Sequence, residues 1–557
     1  MPPAPSVPWQ EVERKTTEVL GSIVFTWPFI QSLGLQQVVD KHCPYDGALS
    51  HGQVFVVIVL NRLHSPHPLY KVGEWAAEVG LTRLLHIDPA ALHDDRLADT
   101  LVAVYRHQEA IQTDLTLAAA ERYGLKLDEI HYDLTSVFFR GLYEASELLR
   151  HGHSRDNKPA EVQVILGVSV SADGDVPIRS QAHSGNTADV TTQVANFHAL
   201  AKMLGTSNFL LTSDRIMQSA ANMLAIERAG GRFLGPLSLE GSLSRAVARL
   251  PEWLFQRLPD TDAQANQNQK EPAVYRGAYI RPSFGVKEAL TPEEQASERA
   301  RRGPGRRRTQ KVTRVRPHGI VVWDSQRQAQ AGRERERAIQ RYEQALQLAA
   351  GRLNQRRYKE QAYVQERLTA LAKAHQEAAA FVKVKLQGED RRLTLQVERN
   401  QAAIDEAARL DGKWLLVSNE PLGERSKIAY MDWALERYKK GHRRIEGRMR
   451  NLKSDIPIRP LYLHNDERIG GLCFAHIVAL MVFSLIEREC RRKLAEEKLT
   501  FKRLAAIWSV FSLTVFHLKS GEQVCWPDDF TPRQEYLLSA LGLLAPAQEI
   551  LARGLSP

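Results

Sequence analysis

The chain has 557 residues, 43% hydrophobic and 25% charged, with 75 Lys and Arg against 65 Asp and Glu and a net charge of +10. These are values of a globular protein, not a fibrous or disordered one, in a chain too long for one ordinary core, so two to four domains are expected. The basic surplus favours a polyanionic partner, nucleic acid before acidic membrane.

The four cysteines, Cys43, Cys473, Cys490 and Cys525, have neither metal-ligand spacing nor the density of a disulfide framework, which reads as a reducing, intracellular compartment. The opening "MPPAPSVPWQEVERK" has no apolar segment of the kind a secretory signal needs. Residues 1–125 read as a mainly helical N-terminal domain for DNA binding or dimerisation. "SHGQVFVVIVLNRL" has Ser50 as an N-cap. "EWAAEVGLTRLL", with Gly80 in its middle, fits a helix-turn-helix or a plain helical hairpin.

The character changes after residue 125. "LDEIHYDLTSVFF", "EVQVILGVSVSADG" and "DVPIRS" are strand-like, a Gly185–Asn186 turn follows, and "TTQVANFHALAKML" has helical spacing. "NFLLTSD" is a short apolar strand, "MQSAANMLAIERAGG" a helix and "RFLGPL" another strand. This order predicts an α/β mixed sheet over 126–255. Residues 256–404 read as an insertion. It opens on the polar linker "DAQANQNQKEP" and carries nine basic residues and no acid across 299–316. Arg301, Arg302, Arg306, Arg307, Arg308 and Lys311 are the candidate DNA-phosphate contacts there, against the plainer reading of a solvated loop. A long charged helix is expected over about 327–378, with Ile339, Tyr342, Leu346, Ala349 and Leu353 as a narrow apolar seam suited to a helical hairpin or short coiled coil.

Residues 405–520 are expected to complete the α/β region, with a strand in "DGKWLLVSN" and helices after it. The apolar run 472–486, at 15 residues, is shorter than the roughly 20 a membrane span needs, so it reads as a buried core helix. "LTFKRLAAIWSVFSLTVFHL" reads as a further helix, and 521–557 as a short, partly turn-like tail.

Three acids stand among apolar or basic neighbours. Asp133 interrupts the β-prone run "EIHYDLTSVFF", where an unpaired carboxylate costs several kcal/mol to bury. Asp214 closes the apolar strand "FLLTSD", and Glu446 sits in "YKKGHRRIEGRMRNLKSD". Each has a plain explanation: Asp133 as a solvent-facing residue, Asp214 as a helix N-cap, Glu446 as an intrahelical partner of Arg443 or Arg450. Together they allow another. At about 100° per residue Glu446 and Lys453 fall almost in line, with His442, Arg443 and Arg450 on or beside that face. Two carboxylates from adjacent strands and one from a helix can hold a pair of Mg²⁺ ions about 4 Å apart for phosphodiester chemistry. The ions, not a side chain, would then meet the charge of Asp133. Oxygen ligands suit Mg²⁺, with Mn²⁺ as substitute.

On these motifs the chain resembles the DDE transposases of bacterial insertion sequences, in the branch with a large insertion before the last acid and a Tyr-Arg-Glu-Lys helix. "LDEIHYDLTSVFFRG" resembles the first-Asp motif, "FLLTSDRIMQSAANM" the second, with Ile216 where the family usually has glycine, and "YKKGHRRIEGRMRNLKSDIPIRPLYLHNDERIGG" the Glu helix and its trailing arm. Glu446 and Lys453 have the family's six intervening residues. Tyr and Arg are expected at 439 and 442, where Lys439 and His442 stand; Tyr438 and Arg443 lie one step away, about 100° around the helix. Protonated, His442 would supply the missing cation.

The resemblance implies a ribonuclease H-like mixed-sheet catalytic domain interrupted by a mixed α/β insertion. It also implies Asp133, Asp214 and Glu446 as catalytic metal ligands, and Tyr438, His442, Arg443, Arg450 and Lys453 as auxiliary DNA contacts. The reaction implied is cleavage at the element's terminal inverted repeats and joining of the 3′-hydroxyls to target DNA. The implied partners are double-stranded element ends and target, and a second copy of the chain in a synaptic homodimer, in the bacterial cytoplasm and at the nucleoid when DNA-bound. No membrane partner is expected. "RRGPGRRR" lacks the flanking strand and helix of a phosphate-binding loop, so no nucleotide is expected either. His151 and His153 have no clustered companions and read as loop residues rather than a zinc site. The competing readings are a metal-dependent nuclease of the same fold and a non-catalytic DNA-binding relic.

Overall fold

In the computed structural model, residues 7–141, 143–152, 160–214, 219–259, 273–302, 310–456 and 463–555 are described. The protein is mixed α/β, with a large mixed sheet and many helices. Its chain divides into two units. The first holds Met1–Asp214, Arg228–Arg232 and Lys440–Pro557; the second holds Arg215–Glu227 and Phe233–Lys439.

Among the strands of the first unit are β1 (Val12–Val19), β2 (Glu129–Phe139), β3 (Val162–Ser171), β4 (Pro177–Ser184) and β5 (Leu210–Ser213). β2, β3 and β4 form an antiparallel meander, and β5 lies parallel to β2 on its other side, giving the order β4-β3-β2-β5. β2 and β3 are buried along nearly their whole length, which is why they read as continuous apolar runs instead of alternating ones. The connection from β4 to β5 is the helix Asp189–Leu204.

The apolar run near the C-terminus becomes the helix Asp466–Lys493. It is long and apolar enough to cross a membrane, and its most apolar stretch is wholly buried inside the protein. It is therefore the core helix of this unit. The helices Ile23–Ser32, His51–His64 and Asp94–Arg106 pack around it. His476, at its centre, is satisfied by the Leu472 carbonyl at 2.7 Å. Ser50 caps the helix His51–His64 through a capping box with Gln53, as the sequence suggests.

Several local expectations change. β1 is a strand in a region read as helical. It pairs with Ser512–Leu518, the second half of a segment read as one helix; the helical part is only Phe501–Trp508. "SLTVFHL" is β-branched and aromatic, so it takes a strand once a partner is available. That partner, "VERKTTEV", is too polar to announce itself as a strand. The tail is also more ordered than expected: a third strand, Gln523–Pro527, is followed by helices Pro532–Leu541 and Leu544–Leu555 with Leu537, Leu538, Ile550 and Leu551 buried. Around Gly80, the second helix is the single turn Leu81–Leu84, too short to lie along a DNA groove. Arg83 ties it to β1 through Glu18 at 3.0 Å.

In the second unit, Lys413–Ser418 pairs with Arg232–Leu237 and with His318–Asp324. The latter pairs with Tyr275–Ile280, all antiparallel. The expected long helix ends at Ala350 and resumes as Gln361–Ala374. Asn354 and Arg356, both at positive φ, break it, and the Asn354 amide bonds the Leu393 backbone from both sides, at 3.0 and 2.7 Å. The seam closes a helical hairpin: Ile339, Tyr342 and Leu346 pack with Val364 and Leu368 against Val382 and Leu393. The linker "DAQANQNQKEP" lies outside the described residues.

Candidate active site

The first two acids are brought together by strand register. β2 and β5 run parallel with Tyr132 opposite Ser213, so Asp133 and Asp214 are the next residues along adjacent strands. Asp133 is half-buried, and its Oδ1 accepts the Leu134 N–H at 2.7 Å. On its other edge β2 is held by β3, with Asp133 opposite Val168.

The third acid arrives on the helix Lys427–Ser454. Its approach to β2 is set by Gly441. A Cβ there would lie 2.1 Å from the His131 ring, and His131 shares a face of β2 with Asp133. Glycine costs about 1 kcal/mol in a helix interior, and at Gly441 the close approach of His131 accounts for it. The sequence reading passed over both residues. His131 is buried, and burial, with the Arg444 charge, pushes its pKa down to about 4, so the ring is neutral. Glu129 Oε1, 3.7 Å from its Nε2, is beyond hydrogen-bond reach.

His442, the next residue, is the centre of the site. Its Nδ1 stands 3.1 Å from Asp214 Oδ2 and its Nε2 3.1 Å from Glu446 Oε1. Both contacts are hydrogen bonds only if both ring nitrogens carry protons. The bond to Asp214 raises the His442 pKa; burial opposes it, and the charges of Asp214, Glu446 and Asp133 add to the rise. His442 is therefore a side-chain partner of Asp214 and Glu446, and the charge of Asp133 adds to the rise of its pKa. The intrahelical partner of Glu446 is thus His442, one turn before it, where the sequence suggested an arginine.

The other predicted site residues divide. Arg443, Arg450 and Lys453 are exposed on the same helix. Tyr438 belongs to the second unit, where its ring packs 5.5 Å from Trp414, and Lys439 lies 3.3 Å over the Tyr275 ring. Within the basic run, Arg301 and Arg302 end the helix Pro292–Arg302, while Arg306, Arg307 and Arg308 lie outside the described residues. Lys311, on the strand Gln310–Val315, is paired with Glu294 at 2.6 Å, which offsets the charge it would offer to phosphate. His151 is described and exposed; His153 and Ile216 lie outside the described residues. Gly185–Asn186 forms the expected turn.

Among the described residues, the one group of His and carboxylate ligand atoms within 4.8 Å of one another is His93, Asp94 and Asp95, exposed at a helix start. The three acids around His442 are set wider than that. Their donors are carboxylate oxygens, the ligand chemistry that Mg²⁺ and Mn²⁺ take.

Residues 17–115 match a family described as a domain of unknown function (DUF4277). No curated protein matches the chain. Solved structures do, among them a piggyBac transposase synaptic complex with hairpin DNA, at 8% identity and a TM-score of 0.35, covering 89% of this chain and 83% of that one.

Proposed function

We infer that the protein is a DDE-type DNA transposase of a bacterial insertion sequence, with a ribonuclease H-like catalytic domain. It binds the terminal inverted repeats of its element, cleaves the ends and joins the 3′-hydroxyls to target DNA, as a homodimer in the synaptic complex. The observation that carries this reading is the convergence of Asp133 and Asp214, from adjacent parallel strands, with Glu446, from a helix, where His442 stands 3.1 Å from both Asp214 and Glu446. Three carboxylates at one place repel one another, and a fold keeps such a cluster when something positive occupies it.

Asp133, Asp214 and Glu446 fit as ligands of two Mg²⁺ ions, with Mn²⁺ able to substitute. Bound there, the ions would activate the attacking water or 3′-hydroxyl and stabilise the leaving oxygen. The protein's own part is orientation. β2 and β5 hold two carboxylates in fixed register, and the Gly441–His131 contact sets how near Glu446 comes. Arg443, Arg450 and Lys453, exposed along the same helix, would receive backbone phosphates of the DNA ends.

The test is a cleavage and strand-transfer assay with purified protein, Mg²⁺ and a duplex carrying the repeats that flank the gene, beside Asp133→Asn, Asp214→Asn and Glu446→Gln. Site-specific nicking and joining, lost in all three variants, is the expected outcome. Hydrolysis without joining would make the protein a nuclease of the same fold. Repeat binding with no metal-dependent chemistry would make it a non-catalytic relic. Strand transfer that required added nucleotide would contradict the nucleotide-free mechanism.

A further inference from the structure

The turn between β3 and β4, Ala172–Val176, is gripped by four arginines from two helices. From the Glu446 helix, Arg444 Nη1 donates to the Ala172 carbonyl at 2.7 Å, Arg448 Nε to the Asp175 carbonyl at 3.0 Å, and Arg448 Nη2 to the Gly174 carbonyl at 3.3 Å. From the core helix, Arg488 makes a forked pair with the Asp173 carboxylate at 2.6 and 3.1 Å, and Arg491 reaches the Gly174 carbonyl at 3.0 Å. Arg448 is 5% exposed and has its remaining nitrogen on Glu487 at 2.8 Å. The turn is built to fit this grip. Gly174 has φ +90, and a Cβ on it would fall 2.5 Å from Arg488 Cδ; Asp175 is a non-glycine residue at φ +59. Such a backbone is uncommon and persists where its surroundings enforce it.

An ordinary hairpin turn on the surface needs no such support. What distinguishes this one is where it leads. β3 runs from the turn directly to Val168, the residue opposite Asp133, and the helix that grips it carries Glu446 two residues from each arginine. The helix thus has two anchor points on the sheet. Gly441 sits against His131 on β2, and Arg444 with Arg448 sits on the β3–β4 turn. Glu446 lies between them. Ile445, Met449 and Leu452 bury the helix's apolar face, and the two polar anchors refine its rotation, where one residue's 100° is enough to carry a carboxylate off the face.

We propose that Arg444 and Arg448 are positioning residues that lock the Glu446 helix to the β3–β4 turn and so set the geometry of Glu446 relative to Asp133. This rests on the reading of those acids as ligands of a divalent cation. Neither arginine touches DNA or metal in this role; both act through the carboxylate between them.

The experiment is Mn²⁺ binding by the full-length chain, measured by calorimetry, for the parent, Arg444→Ala, Arg444→Lys, Arg448→Ala and Asp133→Asn, with circular dichroism and thermal unfolding run on each. Residues that hydrogen-bond a metal ligand directly cost about 10- to 100-fold in affinity when removed, and residues acting one step further away fall at the low end of that range. Arg444→Ala and Arg448→Ala are expected to weaken Mn²⁺ binding by about tenfold with the fold retained. Arg444→Lys, which still reaches a carbonyl, is expected to recover part of the loss. Should the buried Arg448→Ala fail to fold, Arg444→Ala decides, because its side chain is 43% exposed and its removal leaves no cavity. Parent-like affinity in the arginine variants, with binding lost in Asp133→Asn, would overturn the positioning role alone. A parent that binds no Mn²⁺ in an Asp133-dependent manner would overturn the reading of the acids and the positioning role together.

Discussion

Two glycines six residues apart in one helix make opposite predictions. A Cβ on Gly441 would meet the His131 ring at 2.1 to 2.8 Å, whereas one on Gly447 would meet nothing within 4 Å. Gly441→Ala must push the helix from β2 or force His131 out of its place, and overpacking of this kind costs about 1–3 kcal/mol. If the proposed function holds, it should also lower cleavage activity, because the helix carries Glu446. Gly447→Ala should instead raise stability by up to about 1 kcal/mol, the helix-propensity difference. Denaturant melts of the two variants check the pair; equal effects would mean that the helix does not lie as close to β2 as described. His442 belongs at this scale too. Its identity was legible as a departure from the pattern of the transposases that the sequence resembles. Its partners were not, because nothing in the spacing of the chain says that Asp214, more than two hundred residues away, faces its Nδ1.

Among the elements, the basic segment before the strand Gln310–Val315 remains the candidate for sequence-independent DNA affinity. Neutralising Arg301, Arg302, Arg306 and Arg307 together should flatten the dependence of log affinity on log salt, by up to about 0.9 per lost phosphate contact. Lys311→Ala alone should change it little, since Glu294 already holds that ammonium at 2.6 Å. An unchanged slope in the fourfold variant would return the segment to a solvated loop. The β3–β4 turn gives a pH prediction. Burial pushes the Asp173 carboxyl up, but hydrogen bonds from Arg488 and from the Lys126 N–H outweigh it and leave it below the ordinary carboxylate value. A carboxyl lowered in the folded state adds stability above its unfolded pKa of about 3.9, and that stability is lost as pH falls through the folded value. Asp173→Asn should therefore be less stable than the parent at neutral pH and should converge with it toward pH 2. Thermal melts at pH 7, 4 and 2.5 would test this, and a constant gap across them would count against it.

At the scale of the molecule, the two ends of the chain complete one another. β1 pairs along its length with Ser512–Leu518, Thr16 Oγ1 bonds the His517 ring at 2.9 Å, and Trp9 packs edge-on against Phe516 at 5.2 Å. Deleting residues 1–19 should unpair one edge of Ser512–Leu518, expose Val515 and Phe516, and leave a protein that aggregates on expression. A soluble deletion with the parent's unfolding transition would show the pairing to be dispensable.

Much of this protein was determined by its sequence alone. The strands of the first sheet, the buried helix Asp466–Lys493 and the capped helix after Ser50 follow from local pattern, because burial imposes a periodicity or a run that each segment carries by itself. The three acids stood out for the same reason: a charge in an apolar run is visible without a partner. The tertiary structure decided the rest. It made a strand of polar Val12–Val19, broke the long helix at Asn354, put His442 between Asp214 and Glu446, and set Gly441 on His131. Each of these depends on a contact between residues distant in the chain, and such a contact leaves no periodic trace in either segment that makes it.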